Sequence, residues 1–166
     1  MNNLTLIIPT KKEAESLPIF LRELEKYKCE KLIVLQKEDK ETKISIKNIK
    51  DIKIYEQINN GYGNALIEGI NNVSTDYCCI INADGSMDPK FLEQMIKLCE
   101  YKDFIFGSRY QKPGGGSDDD DIITLVGNYF FTFLGNLFFK LKISDILFTF
   151  ILGKTSSFKK LELENY

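Results

Sequence analysis

Directly behind a short apolar run, Tyr77 to Ile81, the chain carries Asn82-Ala83-Asp84-Gly85-Ser86. Asp84 is well placed to hold a hard divalent cation, which prefers oxygen ligands, and Asn82 and Ser86 can add neutral oxygens. A magnesium or manganese ion at that point would bridge a diphosphate and stabilise charge on a departing nucleotide. The same residues also read as an ordinary turn, because Asp-Gly is a common turn pair and Ser86 can help to start a helix. A second segment, Gly61-Tyr62-Gly63-Asn64-Ala65, lies between an expected strand and an expected helix. Glycines there let backbone N–H groups approach a phosphate at a helix N-terminus. Leu66 stands where a dinucleotide fingerprint needs its third glycine, and a tight turn requiring positive φ accounts equally for the pair. A third segment is Gly107-Ser108-Arg109-Tyr110. Arg22 and Arg109 are the only arginines in a lysine-rich chain. Arg109 suits bidentate recognition of a phosphate or, alternatively, a surface salt bridge to the run Asp118–Asp121.

Composition narrows the chemistry. The chain has no histidine, which excludes Ser-His-Asp and Cys-His catalysis and any His-ligated metal. Cys29, Cys78, Cys79 and Cys99 form no CxxC pair, so they read as reduced, mostly buried thiols. Cys78 and Cys79 should point to opposite faces of one strand. A net charge of -2 gives no electrostatic footprint for nucleic acid. Met1-Asn2-Asn3 leads straight into an apolar run rather than a signal-peptide pattern, which reads as a cytosolic start.

These residues need elements to position them. Apolar runs predict strands at Leu4–Pro9, Lys31–Leu35, Ile52–Ile58, Tyr77–Ile81 and Asp103–Phe106. Helical spacing predicts helices over Glu13–Tyr27, Asn64–Asn72 and, opened by Asp88-Pro89, up to about Glu100. Residues 36–50 are charged and weakly patterned, with Ile44, Ile46 and Ile49 as anchors of a short helix or strand. The alternation predicts an α/β fold with a mainly parallel sheet flanked by helices, in one domain over 1–166. Loops after Ile8, Leu35, Ile58, Ile81 and Phe106 should line one crevice at the carboxyl ends of the strands. Gly114-Gly115-Gly116 and the aspartate run read as a flexible acidic loop. From Ile122 to Phe139 there is no charge. Thr124, Gly127, Asn128, Thr132, Gly135 and Asn136 gather on one side of that helix, with Leu and Phe opposite. Such a helix fits an interfacial element or a buried core helix better than an isolated membrane span.

In this order the segments resemble the family 2 glycosyltransferases, and within them the dolichyl-phosphate and polyprenyl-phosphate sugar synthases. "LTLIIPTKKEAESLP", "NNGYGNALIEGI", "CCIINADGSMDPKFL" and "FIFGSRYQKPGGG" carry the resemblance. It implies a GT-A (Rossmann-like) fold, a GDP- or UDP-linked sugar donor, Mg2+ or Mn2+, and an inverting, metal-dependent hexosyl transfer to a polyprenyl phosphate or other acceptor. By matching position, Pro9, Thr10 and Glu13 would line the nucleotide pocket together with Gly61, Gly63 and the strand end Asn82-Ala83-Asp84. Asp84 would be the principal metal ligand, and Arg109 with Ser108 would hold the acceptor phosphate. Asp145 matches a recurring acidic position and joins Asp84 and Arg109 as a catalytic candidate. A phosphate oxygen is already anionic, so no strong general base is required.

The sequence departs from that pattern in several places. Lys11-Lys12 replaces Tyr-Asn before the glutamate. Leu35-Gln36 replaces paired aspartates, with Glu38 or Asp39 as substitutes. Asn82 replaces the first acid of Asp-x-Asp, and a second arginine is missing. Relatives of this kind continue past the point where this chain stops, so a minimal or truncated member is expected. Further expectations are a role in cell-envelope biosynthesis, a cytoplasmic location peripheral to the membrane, contact with a membrane surface, and a homodimer. The competing readings are a non-catalytic nucleotide-sugar- or partner-binding protein on the same fold and, more weakly, a nucleotidyltransferase.

Overall fold

The computed structural model describes residues 1–111 and 122–165. The glycine triplet 114–116 and the aspartate run 118–121 therefore lie outside the described residues. Six strands form one sheet: β1 (Leu4–Thr10), β2 (Glu30–Leu35), β3 (Lys53–Glu56), β4 (Tyr77–Ile80), β5 (Phe104–Phe106) and β6 (Ile151–Lys154). Their order is β3-β2-β1-β4-β6-β5. The pairs β1–β2, β1–β4 and β2–β3 are parallel, and β4–β6 is antiparallel. The helices are α1 (Ser16–Glu23), α2 (Lys40–Ser45), α3 (Tyr62–Asn71), α4 (Leu92–Leu98), α5 (Ile122–Phe139) and α6 (Thr155–Lys159). The α/β class and the mainly parallel sheet are as the sequence leads one to expect. The chain divides into two compact units, Met1–Ile105 with Ile151–Tyr166, and Phe106–Phe150.

In the first unit the central strands β1, β2 and β4 are buried on both faces, as a parallel sheet requires. Register places Ile7 beside Leu32 and Ile80. With Val34, Cys78 and Phe158 these residues form a cluster that receives Ala65 and Ile70 of α3. The helix comes so close at Gly69 that a Cβ there would lie 2.6 Å from Cγ2 of Ile7 and 3.2 Å from Cγ2 of Val34. Leu6, Ile8, Ile33, Leu35 and Cys79 have the opposite parity and are equally buried. Cys78 and Cys79 thus do point to opposite faces. All four cysteines are free thiols, and only Cys29 is less than buried.

In the second unit α5 is assembled the other way round. Asn128, Thr132 and Gly135 are its buried residues. Its polar side chains bind the backbone of the segment that follows. Asn128 Oδ1 accepts from the N–H of Leu147 at 3.3 Å, and Thr132 Oγ1 from that of Ile146 at 3.1 Å. Asn136 donates to the carbonyl of Ile143 at 2.8 Å and accepts from its N–H at 3.1 Å. The Ile, Leu and Phe side faces outward, with Ile123 81% and Phe139 75% exposed. α5 is therefore not a core helix.

Several expected boundaries change. The helix over Glu13–Tyr27 is shorter, α1 followed by a 3-10 turn at Leu24–Lys26, and the N–H of Glu13, ahead of α1, bonds the hydroxyl of Thr42. The strand over Ile52–Ile58 ends at Glu56, which puts Gln57 in the following loop. α3 starts at Tyr62 rather than Asn64, so Gly63 is helical. The Asp88-Pro89 start is a 3-10 turn at Pro89–Phe91 before α4, with the Asp88 carboxylate accepting from the N–H of Lys90. The weakly patterned region 36–50 contains α2, and β6 is a strand not expected from the sequence.

Candidate functional site

Strands β1, β2, β3 and β4 all end at one edge, and β1 and β4 are adjacent. The order of connections reverses between them, which is where ligands bind in open α/β sheets. A cavity of about 320 Å3 opens at that edge. Pro9, Thr10, Lys11 and Glu13 contribute from β1 and its loop, Gln36 from the end of β2, and Gln57 from the end of β3. Gly61, Tyr62 and Ala65 line it from the start of α3, and Asn82, Ala83 and Asp84 from the end of β4.

Each part of the rim is held locally. After β1, Lys12 turns the chain with φ 60. Its N–H donates to Oδ2 of Asp39 at 2.6 Å, and the Oδ1 of Asp39 accepts from the N–H of Thr42 at 3.2 Å. Burial pushes the Asp39 carboxyl up, but these bonds outweigh it and leave the group below its ordinary value. Asp39 is thus the N-cap of α2 and a tie for the β1 loop. It does not line the cavity, and Gln36 does. The carboxylate of Glu13 accepts the hydroxyl of Ser16.

The loop before α3 is pinned by Glu68, whose two carboxylate oxygens accept from the N–H groups of Ile58 at 2.8 Å and Asn59 at 2.9 Å. Gly61 adopts φ 116, a region that side chains disfavour, so the turn reading is right for Gly61. It does not hold for Gly63, which has open space around its Cβ position. The first N–H groups of α3 have no intrahelical acceptor, and with the helix dipole they favour an anion.

At the end of β4, Gly85 takes φ 78. Asp84 is exposed, and its Oδ1 accepts from the N–H of Ser86 at 2.9 Å and from its hydroxyl at 2.6 Å. No described residue donates to Oδ2. Asn82 Oδ1 accepts the hydroxyl of Tyr62 at 3.1 Å, tying the β4 end to the α3 start. Among the described residues no three His, Cys, Asp or Glu side chains converge as a metal cage. A magnesium-type cation held by one or two carboxylates and by substrate phosphates needs no such cage. One carboxylate oxygen that no described residue bonds, with the neutral oxygens of Asn82 and Ser86 in the same segment, fits that mode. None of the four cysteines lines the cavity, and burial pushes Cys78 up to about 11 and Cys79 well above its ordinary value.

The second unit holds the other candidates. The Nε of Arg109 donates to Oδ2 of Asp145 at 2.9 Å, its Nη2 to Oδ1 at 3.0 Å, and its backbone N–H to Oδ2 at 3.1 Å. The Asp145 side chain is 0% exposed and that of Arg109 19%. The guanidinium lies 5.2 Å from the ring of Tyr110 and 5.3 Å from that of Phe148. Ser144 shares a hydrogen bond of 2.8 Å with the hydroxyl of Ser108. Asp145 therefore presents its carboxylate to Arg109, and Ser108 stands beside that pair in sequence.

Seven expected residues, Pro9, Thr10, Glu13, Gly61, Asn82, Ala83 and Asp84, meet around one cavity. Gly63 and Ser86 do not line it, and Ser108, Arg109 and Asp145 belong to the second unit. Sequence reasoning missed Gln57, Tyr62 and Ala65 as lining residues, and it treated Lys11 and Gln36 only as departures. The signal for Gln57 was its polarity at the carboxyl end of a strand, hidden by carrying that strand to Ile58.

The model of the family described as Glycosyl transferase family 2 matches residues 5–162. Mannosyl-3-phosphoglycerate synthase from Rubrobacter xylanophilus is similar in structure, with TM-score 0.69 at 15% identity over 94% of this chain and 54% of that one. Glucosyl-3-phosphoglycerate synthase from Mycobacterium tuberculosis, solved with Mn2+, UDP and phosphoglyceric acid, gives TM-score 0.65 at 13% identity over 93% and 56%. S. aureus TarS 1–349 gives TM-score 0.60 at 14% identity over 96% and 49%. These likenesses establish the GT-A fold, and the chain spans about half the length of the solved structures it matches. With the match running from β1 to beyond α6, the chain belongs to glycosyl transferase family 2.

Proposed function

We propose that this protein transfers a hexosyl group, with inversion, from a UDP- or GDP-linked sugar to a polyprenyl phosphate, using Mg2+ or Mn2+. The observation that carries the reading is the cavity in which Asp84 stands across from the N-terminus of a helix ten residues long. A carboxylate for a cation and a row of N–H groups for an anion suit a diphosphate. The cation, held by Asp84 with Asn82 nearby, would supply charge stabilisation to the leaving diphosphate. Ser86 orients Asp84 through its two hydrogen bonds, and Tyr62 orients Asn82. Pro9, Thr10 and Glu13 border the nucleotide. In the transfer itself, an acceptor phosphate oxygen forms the new bond to the anomeric carbon as the bond to the diphosphate breaks. The attacking oxygen is anionic, so no side chain need remove a proton. Arg109 would bind the acceptor phosphate with Ser108. Asp145 would be a positioning residue, holding the guanidinium at two nitrogens.

The outward apolar side of α5 supports placing the protein on the cytosolic face of a membrane, where a polyprenyl acceptor resides. α5 has 18 residues and mean hydropathy 1.6, and exposed Lys140 and Lys142 follow it. A second reading, a nucleotide-sugar binder without turnover, is favoured by Asn82, which leaves Asp84 as the only carboxylate of that segment.

The test is transfer from UDP- and GDP-hexoses to a short-chain polyprenyl phosphate with Mn2+, with product detected by mass. Arg109→Lys should weaken transfer while leaving donor binding intact. Donor binding without any product would favour the binder.

A further inference from the structure

Gln57 is 8% exposed and lines the cavity from the end of β3. Its backbone N–H donates to the carbonyl of Leu35 at 2.8 Å, which extends the parallel ladder by one residue. Its side-chain nitrogen makes two bonds, to the carbonyls of Asn59 and Gly61, each at 3.0 Å. A primary amide has two N–H donors and one carbonyl oxygen, so both donors are spent on the loop. Reversal of the amide would aim its oxygen at two carbonyl oxygens, so the orientation is fixed by the network. The oxygen Oε1 is left as an acceptor of set direction, and no described residue donates to it. It is not sealed in the core, because the buried polar atoms lacking partners among the described residues are Asn128 Nδ2 and Thr155 Oγ1. A nearly buried side chain that lines the cavity thus keeps one acceptor that no described residue satisfies.

An acceptor that cannot turn into a donor selects for a ligand N–H or O–H. Gln36 lines the same cavity with a side-chain amide that no described residue bonds, and Lys11 lines it with a cation. Both can donate to a carbonyl. The combination matches an edge on which a ring N–H adjoins a C=O, as in the imide of uracil and the lactam of guanine. Cytosine and adenine carry a bare ring nitrogen at that position, which would oppose Oε1, and their edge must shift by one position for the exocyclic amine to donate to it instead. We propose that Gln57 is a specificity-determining residue that accepts a hydrogen bond from the ring N–H of the donor's base and thereby favours uridine or guanosine nucleotides. This rests on the nucleotide-sugar reading above.

The test is calorimetric titration of the full chain with UDP, GDP, CDP and ADP, each with Mn2+, repeated on Gln57→Lys. Lysine can still donate to the carbonyls of Asn59 and Gly61 but offers no acceptor, so the loop keeps its anchor while the reading group is lost. The readout is the ratio UDP:CDP or GDP:ADP, which the added charge does not move because all four ligands carry the same diphosphate. The expected result is a preference of about tenfold in the wild type that collapses toward one in Gln57→Lys, in a variant shown to be folded by circular dichroism. Equal binding of all four nucleotides by the wild type overturns the inference, as does a preference that survives in Gln57→Lys. Binding of none overturns the nucleotide reading itself and this inference with it.

Discussion

The two units bury opposite things. In the first, the side chains removed from water are those of Leu4, Leu6, Ile7, Ile8, Ile33 and Leu35, and polar groups collect at the rim around Asp84. In the second, α5 buries Asn128 and Thr132 and leaves its phenylalanines and isoleucines in solvent. The first unit is assembled by removal of apolar surface from water. In the second, hydrogen bonds from side chains to the backbone of 143–147 and the pair of Arg109 with Asp145 do much of the joining. A rim residue of the first unit should therefore matter to chemistry and little to folding, whereas a buried polar residue of the second should matter to folding.

The largest expected effect tests the first half of that contrast. Asp84→Ala should lower metal-dependent transfer by about two to three orders of magnitude, the worth of several kcal/mol of charge stabilisation. Because Asp84 is exposed, unfolding free energy should shift by no more than about 0.5 kcal/mol. Removing the metal from the wild type with a chelator should reproduce the loss. Activity that persists in both cases would dissociate the cavity from the reaction.

Next in size is Asp145→Ala. It leaves Arg109 as a largely buried charge without its two-point partner, which costs about 3 kcal/mol in urea unfolding. Replacing both residues, Asp145→Leu with Arg109→Met, should recover much of that loss, because apolar side chains of similar volume often substitute for a buried pair. If the single substitution is neutral, the pair does not hold the second unit together. A smaller effect is expected for Thr132→Val, which keeps the shape but strands the N–H of Ile146, at about 1–3 kcal/mol.

What could be read in the sequence follows the same division. The strands β1, β2 and β4 were legible because continuous apolar runs end at turn residues, and with them the edge at which Asp84 and Gly61 meet. α2 was not, because its helicity comes from the Asp39 cap and from Thr42. Its apolar spacing misleads, with Ile46 buried and Ile44 exposed. β6 is short and antiparallel, and its Gly153 is set by tertiary contact, since a Cβ there would lie 2.7 Å from Phe104 Cδ1 and 2.8 Å from the Asp103 carbonyl. Asp145 as a partner of Arg109 was hidden by distance, since the two lie 36 residues apart in sequence. For α5, periodicity identified which residues share a side but not which side turns inward. That choice depends on the backbone groups of Ile143, Ile146 and Leu147, which the helical sequence does not contain.

The smallest effect on folding should accompany a large effect on location. Phe133 and Phe138 are exposed, so Phe133→Ser with Phe138→Ser should change stability by no more than about 0.5 kcal/mol. If α5 lies on a membrane, each phenylalanine contributes about 1.5 kcal/mol of apolar burial there. The double variant should then lose at least about tenfold in affinity for vesicles containing anionic lipid, measured by co-sedimentation. Lys142→Glu should lose less, about 1 kcal/mol, and only where anionic lipid is present. A wild type that ignores vesicles but forms a dimer that the phenylalanine variant cannot form would assign the same surface to a second copy of the chain. In either case the outward side of α5 would be serving association rather than folding, which is the contrast drawn between the two units.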